Sequence, residues 1–267
     1  MSISLGDKNI YPSVISGPTV YETPTVYETG AGGGGGPSFE PIPANIELHL
    51  WFEKVAGSYF HFPEINASLY DKSINNDFII KSWFDMNFNQ RREVYLIDLP
   101  SNDAVNGSIQ LSILDNTNSG HFYIKCRKIG QGTNYNQYPN KQITIDTTDP
   151  SYLSNRFIEY TVKKDSFYFD GVEYSFDYQN KASNNNVVKI GGWRLQQNDF
   201  GNGSKFYAVE IYEPNENLFD IIYPALNKDT GDKGVYSFRL NQFFYDYTNT
   251  SINNITLGPI VPTVPIV

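Results

Sequence analysis

From Asn45 onward, apolar and polar residues alternate in short runs, which is the pattern of strands with one buried face. The first such runs are 46–52, 78–84, 93–99, 108–114 and 121–127. Clusters of Asn, Asp, Gly and Pro separate them, as expected for turns. Residues 151–155 fit a single helical turn, and no long segment has the 3.6-residue period of an amphipathic helix. The pattern predicts many short strands in a sandwich or barrel.

The second half of the chain continues the pattern, with runs at 156–162, 166–169, 172–176, 187–193 and 205–212. Asp170 and Gly171 stand between two aromatic runs and predict a two-residue hairpin, because both central positions of its turn need positive φ. In the last run we expect Phe206 on one face and Val209 on the other, three residues along the strand. The sequence therefore predicts an all-β, antiparallel β-sandwich over residues 44–251.

Residues 1–43 differ from the rest of the chain. A six-residue repeat, 19–24 and 25–30, carries two Val-Tyr pairs that favour an extended backbone. We expect an extended arm that docks on a larger particle by strand addition, with a disordered linker as the alternative. The predicted docking residues are Leu5, Ile10, Tyr11, Val20, Tyr21, Val26 and Tyr27. A flexible hinge is predicted at Gly32, Gly33, Gly34, Gly35 and Gly36.

The C-terminal segment, 252–267, is apolar and has a proline at every third position from Pro259 to Pro265. This spacing favours an extended polyproline conformation. Because an apolar tail is costly to expose, we expect it to pack on its own domain or on a neighbouring subunit. The predicted contacts of a dimer or trimer are Ile260, Val261, Val264 and Ile266.

Charge and composition exclude several classes of protein. The net charge of −9 argues against nucleic acid as a partner. Cys126 is the single cysteine, so no disulfide framework is expected. The sequence has no pattern of a signal peptide and no apolar run long enough to span a membrane, which predicts a soluble product made in a cytoplasm. A domain of this size can bury a core without a metal, so no cofactor is expected.

A family resemblance covers the last third of the sandwich. Lys189-Ile-Gly-Gly-Trp193 is followed by the strand 205–212, by 218–225, by Gly234-Val-Tyr236 and by an aromatic strand from Gln242. This order resembles the C-terminal half of concanavalin A-like (laminin-G-like) jelly-roll domains in structural proteins of tailed bacteriophages. Ser237 stands where those domains usually have Asp. The opening 5–10 is similar to phrases near the start of phage tail and fibre proteins.

The resemblance implies a concanavalin A-like jelly roll and a non-enzymatic role in the virion. We expect a head fibre, capsid decoration or tail-fibre module, in a phage such as a crAss-like phage, that forms a homo-oligomer. Its arm would dock on a capsid or tail protein, and its outer domain would serve host attachment, with a host surface glycan as a candidate ligand. A glycan-binding adhesin and, behind it, a glycoside hydrolase are the alternatives.

Candidate catalytic residues do not form a convincing set. A hydrolase of this kind needs two carboxylates about 5–10 Å apart. Glu210 and Glu213 are three apart and fall on opposite faces of an ideal strand, while Glu173 and Asp177 share a face across an aromatic run. The histidines His49, His61 and His121 lack metal-ligand spacing and are expected to be structural, and the oxygen-rich turns 85–89, 115–118 and 227–232 are weak calcium candidates.

The tryptophans are the residues best suited to a sugar site. Trp51, Trp83 and Trp193 could stack against a sugar ring beside polar side chains. All three lie in strand patterns, however, so we expect them to pack in the core.

Overall fold

The computed structural model describes residues 39–55, 64–66, 69–71, 78–86, 93–99, 109–116, 121–128, 140–146, 156–163, 166–169, 172–175, 187–190, 203–245 and 255–261. All of them belong to one compact unit, Gly36–Val261. Within these ranges no helix is long and apolar enough to cross a membrane.

The described residues fold mainly into strands, joined by turns and loops. These are β1 (Ile46–Leu48), β2 (Trp51–Lys54), β3 (Glu64–Asn66), β4 (Ile79–Met86), β5 (Glu93–Leu99), β6 (Ile109–Asn116), β7 (His121–Lys128), β8 (Asn140–Asp146), β9 (Arg156–Val162), β10 (Ser166–Phe169), β11 (Val172–Ser175), β12 (Val187–Ile190), β13 (Lys205–Tyr212), β14 (Leu218–Asn227), β15 (Lys233–Ser237), β16 (Gln242–Phe244) and β17 (Ile255–Leu257).

The strands make two antiparallel sheets. The larger has the order β11-β10-β9-β4-β13-β14-β15-β16, with β1 paired to β14, and with β2 paired to both β13 and β17. The smaller has the order β3-β12-β5-β6-β7-β8. The all-β, antiparallel two-sheet architecture predicted from the sequence is therefore confirmed. The hairpin predicted at Asp170-Gly171 is confirmed too, because β10 and β11 pair with Phe169 opposite Val172.

One face of the large sheet carries the core. Cross-strand partners share a face, so the registers of β4, β9 and β13 place their alternate residues together. Side chains on this face are almost fully buried. They include Phe52, Ile80, Tyr160, Val162, Phe167, Phe206, Val209, Ile211 and Ile222, each at most 3% exposed. Burial of this apolar face is what selects the register of each strand.

A β-bulge in β13 corrects the sequence prediction for that strand. The register between β13 and β4 shifts between Phe206 and Val209, which pair with Phe84 and Ser82. Because Phe84 and Ser82 share a face of β4, Phe206 and Val209 both point to the core. The prediction that they lie on opposite faces is wrong, since the bulge inserts one extra residue into β13.

A second apolar cluster lies around β14 and β15. Residues before and within β1 contact this cluster, and so does the segment after β17. Its buried members are Ile46, Leu48, Ala208, Leu218, Ile221, Tyr223, Ala225, Tyr236 and Val261. Phe39 and Ile42 pack against the cluster from the chain that precedes β1. The cluster joins both ends of the described chain to the centre of the large sheet.

The C-terminal segment contributes to the large sheet. β17 pairs with β2, with Ile255 opposite Lys54 and Leu257 opposite Phe52. Beyond β17, His49 and Ile260 form an isolated antiparallel bridge. Residues 255–261, which the sequence assigned to a tail, thus pack on their own chain.

Candidate functional site

The opposite face of the same strands carries aromatic and charged side chains. We call this set the open face; its described members are Trp51, Glu53, Lys81, Trp83, Asp85, Glu159, Thr161, Tyr168, Glu173, Lys205 and Tyr207, each partly or well exposed. The face follows from strand alternation. Trp51 flanks Phe52, Tyr207 flanks Phe206 and Lys81 flanks Ile80, so each points away from the core.

Three aromatic rings form a row across the open face. Tyr207 of β13 lies opposite Trp51 of β2, with their ring centroids 5.7 Å apart. On the other side of β13, Trp83 of β4 lies between Ser82 and Phe84. These two residues pair with Val209 and Phe206, so Trp83 lies opposite the bulge in β13. Since neighbouring strands lie about 4.8 Å apart, the backbones that carry the outer two rings are separated by about 10 Å. Glu159 of β9 is the partner of Trp83 and ends the row.

Trp83 belongs to a polar cluster at one end of this row. Its indole N–H donates to the Glu159 carboxylate at 2.9 Å. The Lys81 ammonium lies 3.4 Å from the other oxygen of Glu159 and 5.0 Å from the centroid of the Trp83 ring. The ring is thus fixed by a hydrogen bond along its edge and has a cation over its face.

Trp51 has the same type of surroundings at the other end. The Lys205 ammonium lies 5.3 Å from the centroid of the Trp51 ring and 3.8 Å from the Asp85 carboxylate. Burial raises the pKa of Asp85, although the charge of Lys205 acts in the opposite direction. The ring of Trp51 also lies over Gly258, where a Cβ atom would be only 2.5 Å from it.

His49 holds the peptide beneath Trp51. Its Nδ1 lies 2.7 Å from the carbonyl oxygen of Gly258, to which it donates. Its Nε2 lies 3.2 Å from a carboxylate oxygen of Glu47 but makes no well-directed hydrogen bond. The ring is 7% exposed, in keeping with the structural role expected from the sequence.

A fourth aromatic residue extends the open face beyond β9. Tyr168 of β10 is the partner of Thr161, which in turn is the partner of Lys81. A hydrogen bond with Glu173, ahead of burial, raises the pKa of Tyr168. The Lys163 ammonium lies 5.3 Å from the centroid of its ring.

A buried polar network away from the open face includes Asp220 and Ser237, which belong to the segment that carries the sequence resemblance. Asp220, which is 0% exposed, accepts hydrogen bonds from the hydroxyls of Tyr70 and Ser237, both at 2.6 Å, and from the backbone N–H of Arg239 at 2.9 Å. Burial raises the pKa of Asp220. The Arg239 guanidinium pairs with Asp71 through two hydrogen bonds of 2.7 and 2.8 Å from its Nη2. The network fixes the chain around residues 69–71 to the turn after β15.

The residues predicted to anchor or assemble the protein fall largely outside the described ranges. These are the arm residues Leu5, Ile10, Tyr11, Val20, Tyr21, Val26 and Tyr27, the hinge Gly32–36, and Val264 and Ile266. Val261 is 3% exposed in the second apolar cluster of its own chain, and Ile260 is 55% exposed. Trp193 and His61 also lie outside the described residues.

The sequence expectation that Trp51 and Trp83 pack in the core differs from the structure, which places both on the open face. Their lysine and carboxylate neighbours were missed. The sequence carries only a partial signal, because each tryptophan is followed by a phenylalanine, which puts the two rings on opposite faces of the strand.

Two of the candidate catalytic and metal-binding places named from the sequence lie fully within the described residues, Glu210 and the turn 227–232. Glu210 is 5% exposed and accepts a hydrogen bond from the Tyr212 hydroxyl. Asp229 and Asp232 lie in the turn 227–232, where the side chains of Asn227 and Thr230 accept backbone N–H groups. In the described ranges, no three His, Cys, Asp or Glu side chains are grouped to hold a metal ion.

Comparison with known proteins gives similarity in structure only. No family model matches the chain, and no curated protein matches it. A solved structure of mouse laminin alpha1 chain, domains LG4-5, matches 65% of this chain and 43% of its own length, with a TM-score of 0.41 and 13% identity. The galectin LEC-6 of Caenorhabditis elegans matches 61% of this chain and 96% of its own length, with a TM-score of 0.34 and 10% identity.

Proposed function

We propose that this chain is a non-enzymatic carbohydrate-binding domain and that it binds sugar on the open face. The observation that carries the proposal is the row of Trp51, Tyr207 and Trp83, flanked by hydrogen-bonding carboxylates and ammonium groups. A sugar presents an apolar face of C–H groups and a rim of hydroxyls. Aromatic rings accommodate the first, and fixed charged groups accept or donate hydrogen bonds to the second.

The exposure of the three rings supports a binding role over a packing role. Their neighbours Phe52 and Phe206 are 1% and 3% exposed, as core aromatic residues are. Trp51, Tyr207 and Trp83 occupy the other side of the same strands and stay partly exposed. An aromatic row that is in contact with water has apolar area left to bury against a ligand.

The charged groups of the open face are arranged for recognition more than for hydrolysis. Asp85 lies beside Lys205, and Glu159 lies beside Lys81 while it accepts the indole N–H of Trp83. A pair of carboxylates engaged in this way is suited to hold hydroxyl groups in place. Hydrolysis would need one of two facing carboxylates to be free to protonate a leaving oxygen.

The virion role inferred from the sequence stays a prediction. Residues 1–38, which include the predicted docking residues and hinge, lie outside the described ranges. Sugar binding on the open face is compatible with that role, because a fibre or decoration protein that attaches to a host surface needs a ligand there. Glycan recognition is the part of the role for which the described residues give an argument.

A glycan array with the full-length protein, followed by titration calorimetry on the glycans that bind, tests the proposal. We expect Trp83→Ala to weaken binding at least about tenfold, which corresponds to about 1.4 kcal/mol. Val172→Ala is the matched control, since Val172 is 51% exposed and lies on the other face of the same sheet. Binding unchanged in Trp83→Ala, or no glycan bound by the unaltered protein, would overturn the proposal.

A further inference from the structure

We infer that the open face binds the interior of an extended, uncharged polysaccharide chain, and not a single terminal sugar. The inference rests on the proposed function and specifies its ligand. It comes from two observations that the aromatic row alone does not contain. One is the position of Tyr168, and the other is the balance of charge over the whole face.

Three ring sites repeat along the open face with the same chemistry. Each has an aromatic ring and an ammonium group over it, at 5.0 Å for Trp83, 5.3 Å for Trp51 and 5.3 Å for Tyr168. Each ammonium also pairs with a carboxylate: Lys81 with Glu159 at 3.4 Å, Lys205 with Asp85 at 3.8 Å, and Lys163 with Glu216 at 3.7 Å. A repeated site suits a ligand that is itself a repeat.

The ring sites lie too far apart for one sugar. From β2 through β13, β4 and β9 to β10 there are four strand spacings, and Tyr168 lies one two-residue step along the sheet from the row of Trp51 and Trp83. At about 4.8 Å per spacing and about 6.7 Å for the step, the outer sites are about 20 Å apart. A ligand that uses all three must run across the strands over that distance.

Charge on the open face selects against acidic polysaccharides. On the open face the carboxylates Glu53, Asp85, Glu159 and Glu173 outnumber the lysines Lys81 and Lys205, and Lys163 beside Tyr168 is paired with Glu216. All three lysines are within 4.0 Å of a carboxylate, so none offers an uncompensated cation to a sulfate or uronate group. The chain as a whole carries a net charge of −9. A polyanion would meet repulsion both at the site and on approach.

The lysines also define how a neutral ligand enters. An ammonium over a ring occupies the position that a stacked sugar would take. It can leave that position without losing its carboxylate, because each ammonium is also held by an ion pair. A neutral sugar replaces a weak surface cation–π contact, and the ion pair remains to bond the sugar hydroxyls.

Chain-length dependence of affinity tests the inference. The probes are linear gluco-, manno- and galacto-oligosaccharides of one to about six units, long enough to cross the roughly 20 Å between outer ring sites, and oligouronates of the same lengths. With the full-length protein we expect affinity to rise at least about tenfold from the shortest to the longest neutral ligand, with oligouronates weaker at every length. Tyr168→Phe is the conservative control for Tyr168→Ala, since it keeps the ring.

Each outcome points to a different conclusion. Loss of the length dependence in Tyr168→Ala, with binding of the shortest ligands unchanged, would support the inference. Equal affinity for one unit and for the longest chain, or preference for oligouronates, would overturn it and leave glycan binding intact. No binding of any probe, neutral or charged, together with a blank glycan array, would overturn the proposed function itself.

Discussion

Adding one methyl group at Gly258 should displace Trp51 from the open face. Gly258 follows β17 and donates its backbone N–H to the carbonyl of Trp51 at 2.9 Å. A Cβ on Gly258 would lie 2.5 Å from both Cδ2 and Cε2 of the indole ring, and 2.9 Å from Cγ. Carbon atoms in contact lie about 3.5–4.0 Å apart, so the ring would have to move by about 1 Å or more.

The expected loss of stability is modest and comes from crowding alone. Small-to-large changes in packed sites cost about 1–3 kcal/mol. Gly258 is not among the described residues with positive φ, so alanine brings no left-handed strain there. Replacing glycine also lowers the conformational entropy of the unfolded chain, which stabilises the folded state by about 0.4–1 kcal/mol. We expect Gly258→Ala to lower the free energy of unfolding by about 1–2 kcal/mol.

A double-mutant cycle separates the ring from other causes. Urea unfolding gives the free energy for Gly258→Ala, Trp51→Ala and the double variant. Because the three nearest atoms to the added Cβ all belong to the indole, Gly258→Ala should stabilise the protein by about 0.4–1 kcal/mol once Trp51 is alanine, a coupling of about 1.4–3 kcal/mol. An equal cost in both backgrounds would refute the placement of Trp51 over Gly258.

Three further predictions concern the Asp220 network. Because burial raises the pKa of Asp220 above 3.8, the folded state holds its proton more tightly. The difference in stability between the unaltered protein and the Asp220→Asn variant should therefore favour the unaltered protein most at about pH 3.5 and shrink as the pH rises towards 7. Thermal melts of both proteins across this range measure the difference, and a difference that does not change with pH would contradict the prediction. Ser237→Asp places a second carboxylate beside Asp220 and should lower the free energy of unfolding by about 2–4 kcal/mol at pH 7 and by less in acid. Ser237→Ala should lower it by about 1 kcal/mol at both pH values, and urea unfolding measures both variants. Asp71→Asn breaks an exposed ion pair with Arg239 and should cost less than about 1 kcal/mol in the same assay, so a loss as large as that of Ser237→Asp would count against the network described.

The strands were predictable because the alternation of apolar and polar residues can be seen within each short segment of the sequence. The strands β4, β6, β7 and β13 coincide with alternating runs, since a strand with one buried face needs an apolar side chain at every second position. The hairpin at Asp170-Gly171 was also predictable from a short segment, because two adjacent turn residues stand between two strand patterns. Neither inference needs knowledge of what the strand pairs with.

The open face was not predictable, because both sides of its strands are aromatic. Alternation separates Trp51 from Phe52 but does not say which of them is buried. The bulge in β13 adds a further shift, because it brings Val209 to the same side as Phe206 and so breaks strict alternation along this strand. The lysine beside each tryptophan comes from a different place in the chain. Lys81 is two residues from Trp83, whereas Lys205 reaches Trp51 only through the pairing of β13 with β2.

The buried network gives a physical reason for Ser237, which stands where the domains that this sequence resembles usually have Asp. Ser237 is the partner of Ile222 in the β14–β15 register and places its hydroxyl on the Asp220 carboxylate. A hydroxyl can donate there, and it also accepts the N–H of Leu240 at 3.2 Å. An ionised carboxylate at the same position could only accept, and it would repel Asp220. With Asp220 already present and fully buried, serine satisfies the site without a second charge.

The end of the sheet that carries Trp51 depends on contacts between distant parts of the chain. His49 donates to the carbonyl of Gly258, 209 residues away, and Gly258 in turn lies beneath the Trp51 ring. β17 therefore positions Trp51 when it pairs with β2, and the partner of Lys205 arrives separately on β4. The Trp83 end is built mainly from β4 and its neighbour β9. The Trp83 end thus needs two adjacent strands of the sheet, whereas the Trp51 end needs β2, β4, β13 and the segment of β17. Destabilising changes near β17 should therefore affect the Trp51 end of the open face before the Trp83 end.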